Sequence, residues 1–289
     1  MAKTIDEAFR VFHSWLTPTT TESQAAKSHR ASIEACLRNN FGLNRFFRTG
    51  SFGNGTSISG YSDVDYFAVI PSNEVPSGST YFLQKVRNAL DTRFPYTGVR
   101  VNSPAVSVPF GSNRSEHTEV VPAKYYSTIE GFDLYQIADG NGGWMTSSPD
   151  IHNAYVYVTD EKLSNKVKPL IRFLKAWKYY RNVPILSFYL ELYATRYAAT
   201  QETILFYWDV NRILKNLWDA QLPAIQDPMG VSGYIYPCAT ASQKEDALSK
   251  LCTAHVRAEN AFEAHDKSNV QDEFYWWRLL YDNKFPAYG

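Results

Sequence analysis

The chain has little of what most readily gives a function away. Its three cysteines, Cys36, Cys238 and Cys252, are far apart, and none has a cysteine or histidine partner at metal-ligand spacing. That excludes a zinc finger and a disulfide framework, and leaves three thiols in a reducing compartment. The six histidines are scattered and read as structural or surface residues. Charge of one sign is also missing, since Lys plus Arg and Asp plus Glu each number 29. A neutral chain is not built to coat long nucleic acid, although it can still hold a local basic pocket for one small anion. No apolar run reaches the length of a membrane span, and the opening MAKTIDEAFRVFHSWL is charged and amphipathic. The expectation is therefore a soluble, cytoplasmic protein without a leader.

What is present is apolar material: 44% of the 289 residues are hydrophobic and 15% aromatic. That suffices for one large core or two moderate ones. Ile5, Phe9, Phe12 and Leu16 recur at helical spacing. After Pro18, Thr19 and Glu22 fit a capping box that opens a helix carrying Ala26, Ile33 and Leu37 inward until about Asn40. The texture then changes to a glycine- and serine-rich GSFGNGTSISG and a β-rich YSDVDYFAVIP. Helix-like YFLQKVRNAL follows, then strand candidates VRVNSPAVSVPF and TEVVPAKYY joined by the turn GSNRSEH, and a strand region NAYVYV near residue 155. From Thr159 the 3.6-residue period dominates, in VKPLIRFLKAWKYYR, LSFYLELYATRYAA, ILFYWDVNRILKNLW and KEDALSKLCTAHVRAENAFEAH. The pattern is an α+β first half, residues 1–158, followed by an all-helical second half, residues 159–289.

The chemistry centres on Gly50-Ser51 followed, after a spacer, by Asp63-Val64-Asp65. On a strand, Asp63 and Asp65 share a face, and two adjacent carboxylates repel unless a cation lies between them. Hard divalent ions prefer such oxygen ligands, and a third carboxylate from a neighbouring strand completes a two-ion site for nucleotidyl transfer. Glu119, at the head of an apolar strand expected to stop at Pro122, is the candidate, with Glu116 in the polar turn as fallback. Gly50 allows backbone amides close to a phosphate, and the Ser51 hydroxyl can bond a phosphate oxygen. Glycine loops and D-x-D triplets are each common; the two in this order, ahead of a later acidic strand, are far more specific.

Gly-Ser, spacer, Asp-hydrophobic-Asp and later Glu-Val-Val-Pro-Ala together resemble the cGAS/DncV-like nucleotidyltransferases, bacterial relatives of oligoadenylate synthetase. GGWMTSSP, LIRFLKAWKYY, ILSFYLELYA, the Asp227-Pro228 step and the closing FPAYG extend the resemblance through most of the chain. The resemblance implies a bilobal polymerase-beta-like core with its site in the cleft, plus a C-terminal helical bundle that binds nucleotide. Asp63, Asp65 and Glu119 are then catalytic and hold two Mg²⁺ ions, for which Mn²⁺ can substitute. Ser51 contacts the nucleoside triphosphate, Lys175 holds the triphosphate, Ser187 bonds the terminal phosphate and Phe188 lies against a base. Lys168, Arg172 and Lys175 at i, i+4 and i+7 form a basic helical stripe, which alone reads as a solvated face. Phe188 alone reads as core.

The function implied is synthesis of a cyclic di- or trinucleotide second messenger with release of pyrophosphate, in bacterial anti-phage signalling. A separate effector protein would sense the product, and the enzyme would work as a monomer, without membrane or long nucleic acid. Two rivals stand beside it: a template-independent transferase acting on RNA or another acceptor, and a catalytically inactive nucleotide-binding module. The closing residues also read two ways. FPAYG is either a structural tail, or Phe285-Pro286 extends outward so that Gly289 becomes an attachment point for a ubiquitin-transfer-like partner, as the resemblance implies for some relatives.

Overall fold

The computed structural model describes residues 2–18, 20–61, 63–111 and 116–289, and only the backbone of residues 20–23, 25, 26 and 116. The expected Thr19–Glu22 capping box, and the inward side of Ala26, lie outside the described residues. The chain divides into two compact units, one of residues 18–154 and one of residues 1–17 with 155–289.

The 18–154 unit is built on a mixed sheet. Its strands are β1 (Arg45–Thr49), β2 (Val64–Val69), β3 (Arg100–Asn102), β4 (Ala105–Phe110), β5 (Glu116–Ile129), β6 (Phe132–Ala138) and β7 (Trp144–Ser147). They run in the order β1-β2-β5-β4-β3, with β6 on the far half of β5 and β7 beside β6. Alternation along each strand separates two faces. Tyr66, Ala68, Val106, Val108 and Val120 point into a core with Ile33 and Leu37 of helix α2 (Thr20–Phe41). Phe82, Val86 and Leu90 of helix α4 (Ser79–Arg93) close the same core. The opposite face of β2, β4 and β5 carries the polar residues considered below.

The expectation that Pro122 stops its strand is corrected. Strand β5 runs on to Ile129. The Ala123 carbonyl accepts from the Ile70 amide, so Pro122 turns its missing N–H to the other edge. There pairing with β4 has ended at Val120 and pairing with β6 has not begun before Lys124. Proline is tolerated where no ladder partner waits.

NAYVYV is not a strand but the middle of helix α5 (Pro149–Lys162). Pro149 and Asp150 suit its first turn, and His152, Val156, Thr159 and Leu163 are buried at helical spacing. The apolar alternation through Tyr155, Val156, Tyr157 and Val158 therefore mimics a strand over too short a window. The chain passes between units at 154/155, inside α5, rather than at 158/159. The first helix, α1 (Ile5–Leu16), belongs to the unit of the C-terminal half instead of the first.

That second unit is helical, with α6 (Val167–Tyr180), α7 (Ser187–Ala198), α8 (Phe206–Asp219), α9 (Ala241–Asp266) and α10 (Val270–Leu280) beside α1 and the end of α5. A two-stranded hairpin, β8 (Ile225–Gln226) and β9 (Tyr234–Ile235), interrupts the helices. Buried Asp160 Oδ1 accepts the Val167 and Lys168 amides at 2.9 and 3.0 Å, satisfying donors that α6 leaves open. Phe9 of α1 lies 4.9 Å from Phe173, 5.1 Å from Trp277 and 5.1 Å from Phe285, ring centre to ring centre. The tail therefore does not extend outward: Phe285 is buried, and the Gly289 amide donates to the Ala2 carbonyl at 3.2 Å. Among the described residues, no helix is long and apolar enough to cross a membrane.

His13 ends α1 half-buried, and its Nε2 accepts from Arg172 Nη1 at 2.7 Å. Burial, then the guanidinium charge, pushes the imidazole pKa down from 6.5 to about 4. A depressed pKa means that the neutral form stabilises the fold above pH 6.5, and that this share is lost as pH falls toward 4. The stability difference between wild type and His13→Gln, from urea denaturation, should shrink over that interval and stay constant above it.

Candidate active site

Sheet register assembles the acidic cluster. Strands β2 and β5 run parallel with Asp65 opposite Glu119, and β4 runs antiparallel with Ser107 opposite Glu119. Paired residues share a face, as do residues two apart, so His117, Glu119, Ser107 and Arg100 line up beside Asp65. Asp63 lies one residue before β2 rather than within it, and its side chain is 50% exposed. Oxygens of Asp63 and Glu119 and a nitrogen of His117 all lie within 4.8 Å of one another. The side chain of Glu116, the fallback, is outside the described residues.

Each member of the cluster has a support. Asn102 Nδ2 donates to Glu119 Oε1 at 2.7 Å, fixing one carboxylate oxygen. His117 Nδ1 lies 3.2 Å from Asp63 Oδ1, an ion pair whose N–H is not well aimed for a hydrogen bond. On the ring's other side, Nε2 is 2.7 Å from Ser107 Oγ and 3.3 Å from Arg100 Nη2. Contact with Asp63 foremost, and the charge of Glu119, push the His117 pKa up against burial and Arg100. The imidazole is thus drawn toward its cationic form by the acids around it.

The donor set suits a divalent cation. Asp63, His117 and Glu119 are close enough to share one ion, and Asp63 is open to solvent. Asp65 is placed differently. Antiparallel pairing of β1 with β2 sets Thr49 opposite Asp65, so the next residue, Gly50, which opens the one-turn helix α3 (Gly50–Gly53), meets that carboxylate. A Cβ on Gly50 would fall 1.9 Å from Asp65 Oδ2, and Gly50 has φ +58°. Glycine is required there both for backbone hand and for space.

The remaining candidates lie in the helical unit. Ser187 is the first residue of α7, its Oγ 3.2 Å from the Tyr179 hydroxyl, and Phe188 is 42% exposed rather than core. Lys175 is 1% exposed, with Nζ 2.5 Å from Glu191 Oε2. The stripe of Lys168, Arg172 and Lys175 is therefore no open basic face: Arg172 is buried against His13, and Lys168 leans on Asp160 at 3.6 Å. A lysine meeting a glutamate sixteen residues away is a tertiary pairing that helical spacing cannot reveal. His117 was legible but overlooked, since it stands two residues before Glu119 on one strand.

A mixed sheet presenting three acidic side chains beside a Gly-Ser turn is the core of a polymerase-beta-like nucleotidyltransferase. The chain belongs to the Second Messenger Oligonucleotide or Dinucleotide Synthetase domain family, whose pattern matches residues 3–157, more than half its length. A probable cyclic nucleotide synthase of Bacillus cereus (strain VD146) is 22% identical over 258 residues, 82% of this chain and 75% of that one. The structure of E. coli MS115-1 CdnC, solved in complex with HORMA-deltaN, superposes with TM-score 0.74 at 17% identity over 97% of this chain and 98% of that one. Vibrio cholerae DncV, a cyclic AMP-GMP synthase, gives 0.73 at 14% identity over 95% and 93%. At those identities the two structures establish the fold, and the family match makes the chain an enzyme of the nucleotidyltransferase class.

Two substitutions test this geometry. Gly50→Ala should cost about 1–2 kcal/mol in urea denaturation through its left-handed backbone alone. A variant as stable as wild type would contradict the close approach to Asp65. Lys175→Met should cost about 3–5 kcal/mol by removing the ammonium that neutralises buried Glu191, and Lys175→Met with Glu191→Leu should recover most of it.

Proposed function

We propose that the chain joins nucleoside triphosphates into a cyclic di- or trinucleotide second messenger. The observation that carries this reading is the register pairing of Asp65 with Glu119, with Asp63 beside it, next to the Gly50-Ser51 turn. In each step a ribose 2′- or 3′-hydroxyl oxygen bonds an α-phosphorus (of a second triphosphate on joining, of the intermediate's own triphosphate on ring closure), the bond to the β-phosphate oxygen breaks, pyrophosphate leaves, and the hydroxyl proton passes to a carboxylate or water. Asp63, Asp65 and Glu119 would hold two Mg²⁺ ions, or Mn²⁺ in their place. When bound, these supply Lewis-acid stabilisation of the charge developing on phosphate and leaving group.

The chain's own groups do the rest. Asn102 holds one oxygen of Glu119, so the other stays free to face a hydroxyl or an ion. His117 balances the charge of Asp63, and would join Asp63 and Glu119 in holding a cation. The Gly50 backbone and Ser51 hydroxyl would meet phosphate oxygens. Ser187 offers a hydroxyl at a helix N-terminus that has no side-chain cap, where phosphate binding is favoured. Phe188, exposed beside it, would lie against a base. Lys175, neutralised by Glu191, would act by steadying α7 under Ser187 rather than by touching the triphosphate. A separate effector protein that senses the product, and a role in anti-phage signalling, belong to the same proposal.

Purified protein incubated with four labelled nucleoside triphosphates and Mg²⁺ should yield a cyclic product by mass spectrometry. Asp63→Asn and Glu119→Gln should each lower the rate by about three decades, roughly 4 kcal/mol, with unfolding midpoints near wild type. Turnover retained in both variants would sink the mechanism, and tailed acceptors in place of cyclic products would sink the product assignment.

A further inference from the structure

Helix α7 has a second feature at its far end. A pocket of about 380 Å³ is lined there by Tyr193, Arg196, Tyr197, Thr200, Pro223 and Ile225. Arg196 follows Ser187 by nine residues, about 13 Å along the helix. The pocket lies wholly within the helical unit and shares no residue with the acidic cluster of the other.

Its lining is rich in donors. Among the described residues Arg196 makes no ion pair or hydrogen bond, and no carboxylate lines the pocket. The polar neighbours do not satisfy it: the Tyr197 hydroxyl is given to Asp209 Oδ1 at 2.7 Å, and the Thr200 hydroxyl to the Tyr197 carbonyl at 2.7 Å. Tyr155, Tyr189 and Tyr193 have pKa values raised by burial, with the Arg196 charge acting against the rise.

The walls are also fixed in advance. Tyr189 donates its hydroxyl to the Pro223 carbonyl at 2.7 Å, tying α7 to the segment that forms the opposite wall. The Tyr193 ring stacks on Tyr189 with centres 5.8 Å apart and planes 29° apart. A guanidinium without an acceptor, beside tyrosine faces held in place, matches an anionic oxygen joined to a flat ring. The volume lies at the small end of the ligand-pocket range, which suits one nucleotide and is tight for two.

We propose that this pocket is a second nucleotide site, taking one mononucleotide unit with its phosphate on Arg196 and its base against Tyr193 and Tyr197. The unit can come from a free mononucleotide or from the end of a linear intermediate, since the chemistry presented is the same. Occupancy would be felt along α7, whose other end carries Ser187.

Calorimetry on the full chain in EDTA, which removes divalent cations from the acidic cluster, provides the test. AMP or GMP should bind saturably, and adenosine and inorganic phosphate alone should each bind more weakly. Arg196→Gln should weaken AMP or GMP about tenfold or more, and Tyr193→Leu should weaken it as well. Asp63→Asn and Ser187→Ala should leave it unchanged, which separates this site from the one proposed for synthesis. Arg196 is exposed, so Arg196→Gln should melt like wild type. If that variant fails to fold, Tyr193→Leu carries the test alone. The dinucleotide pApA distinguishes the sources: binding as tight as AMP assigns the end of a linear intermediate, and weaker binding assigns a free mononucleotide. No saturable binding of any mononucleotide, or binding indifferent to the Arg196 and Tyr193 substitutions, overturns the proposal.

Discussion

The acidic face depends on the parallel pairing of β2 with β5. Parallel strands enter a sheet from the same end, so residues near the starts of both lie together, and here these include acids: Asp65 beside Glu119, with Asp63 just ahead. Antiparallel β1 brings its last residue to the same edge, and antiparallel β4 supplies Ser107. One choice of register thereby fixes which side chains meet. A slip of one residue would turn the acids into the core and bring Val64 and Val120 out, exchanging a wet site for buried repelling charge.

Concentrated negative charge has to be tolerated before any cation arrives. The sheet meets this with neighbours on the same face: Asn102 on Glu119, His117 on Asp63, and Ser107 and Arg100 on the far side of the imidazole. The absence of a side chain at Gly50 leaves room for the Asp65 carboxylate. The opposite surface of the same strands is a dry layer against α2 and α4, so the polar face can be strained electrostatically while the apolar one holds the strands in place.

The acids were readable in the sequence because period-2 alternation and a Gly-Ser turn are local signals. Glu119 could be placed beside Asp65 by supposing a neighbouring strand, and the register agrees. The same rule pointed to His117, but a histidine among six scattered ones carried no separate mark. Pro122 misled because its tolerance depends on where β4 and β6 begin and end, which is a property of the partners. Helix α5 misled because four residues of apolar alternation outweighed a helical period visible only over its full length. The burial of Lys175 was illegible for a different reason: a charge is hidden only when its partner is folded against it, and Glu191 sits on another helix.

The assignment of α1 to the helical unit has a consequence for synthesis. Residues 18–154 form one uninterrupted stretch, so that unit can complete while later residues are still being translated. Helix α1 cannot: the rings that cover Phe9 include Trp277 and Phe285, which are made long after it. The apolar stripe of Ile5, Phe9, Phe12 and Leu16 therefore waits for its full cover until those rings have been made. That interval is when a holdase chaperone would matter most to this helix.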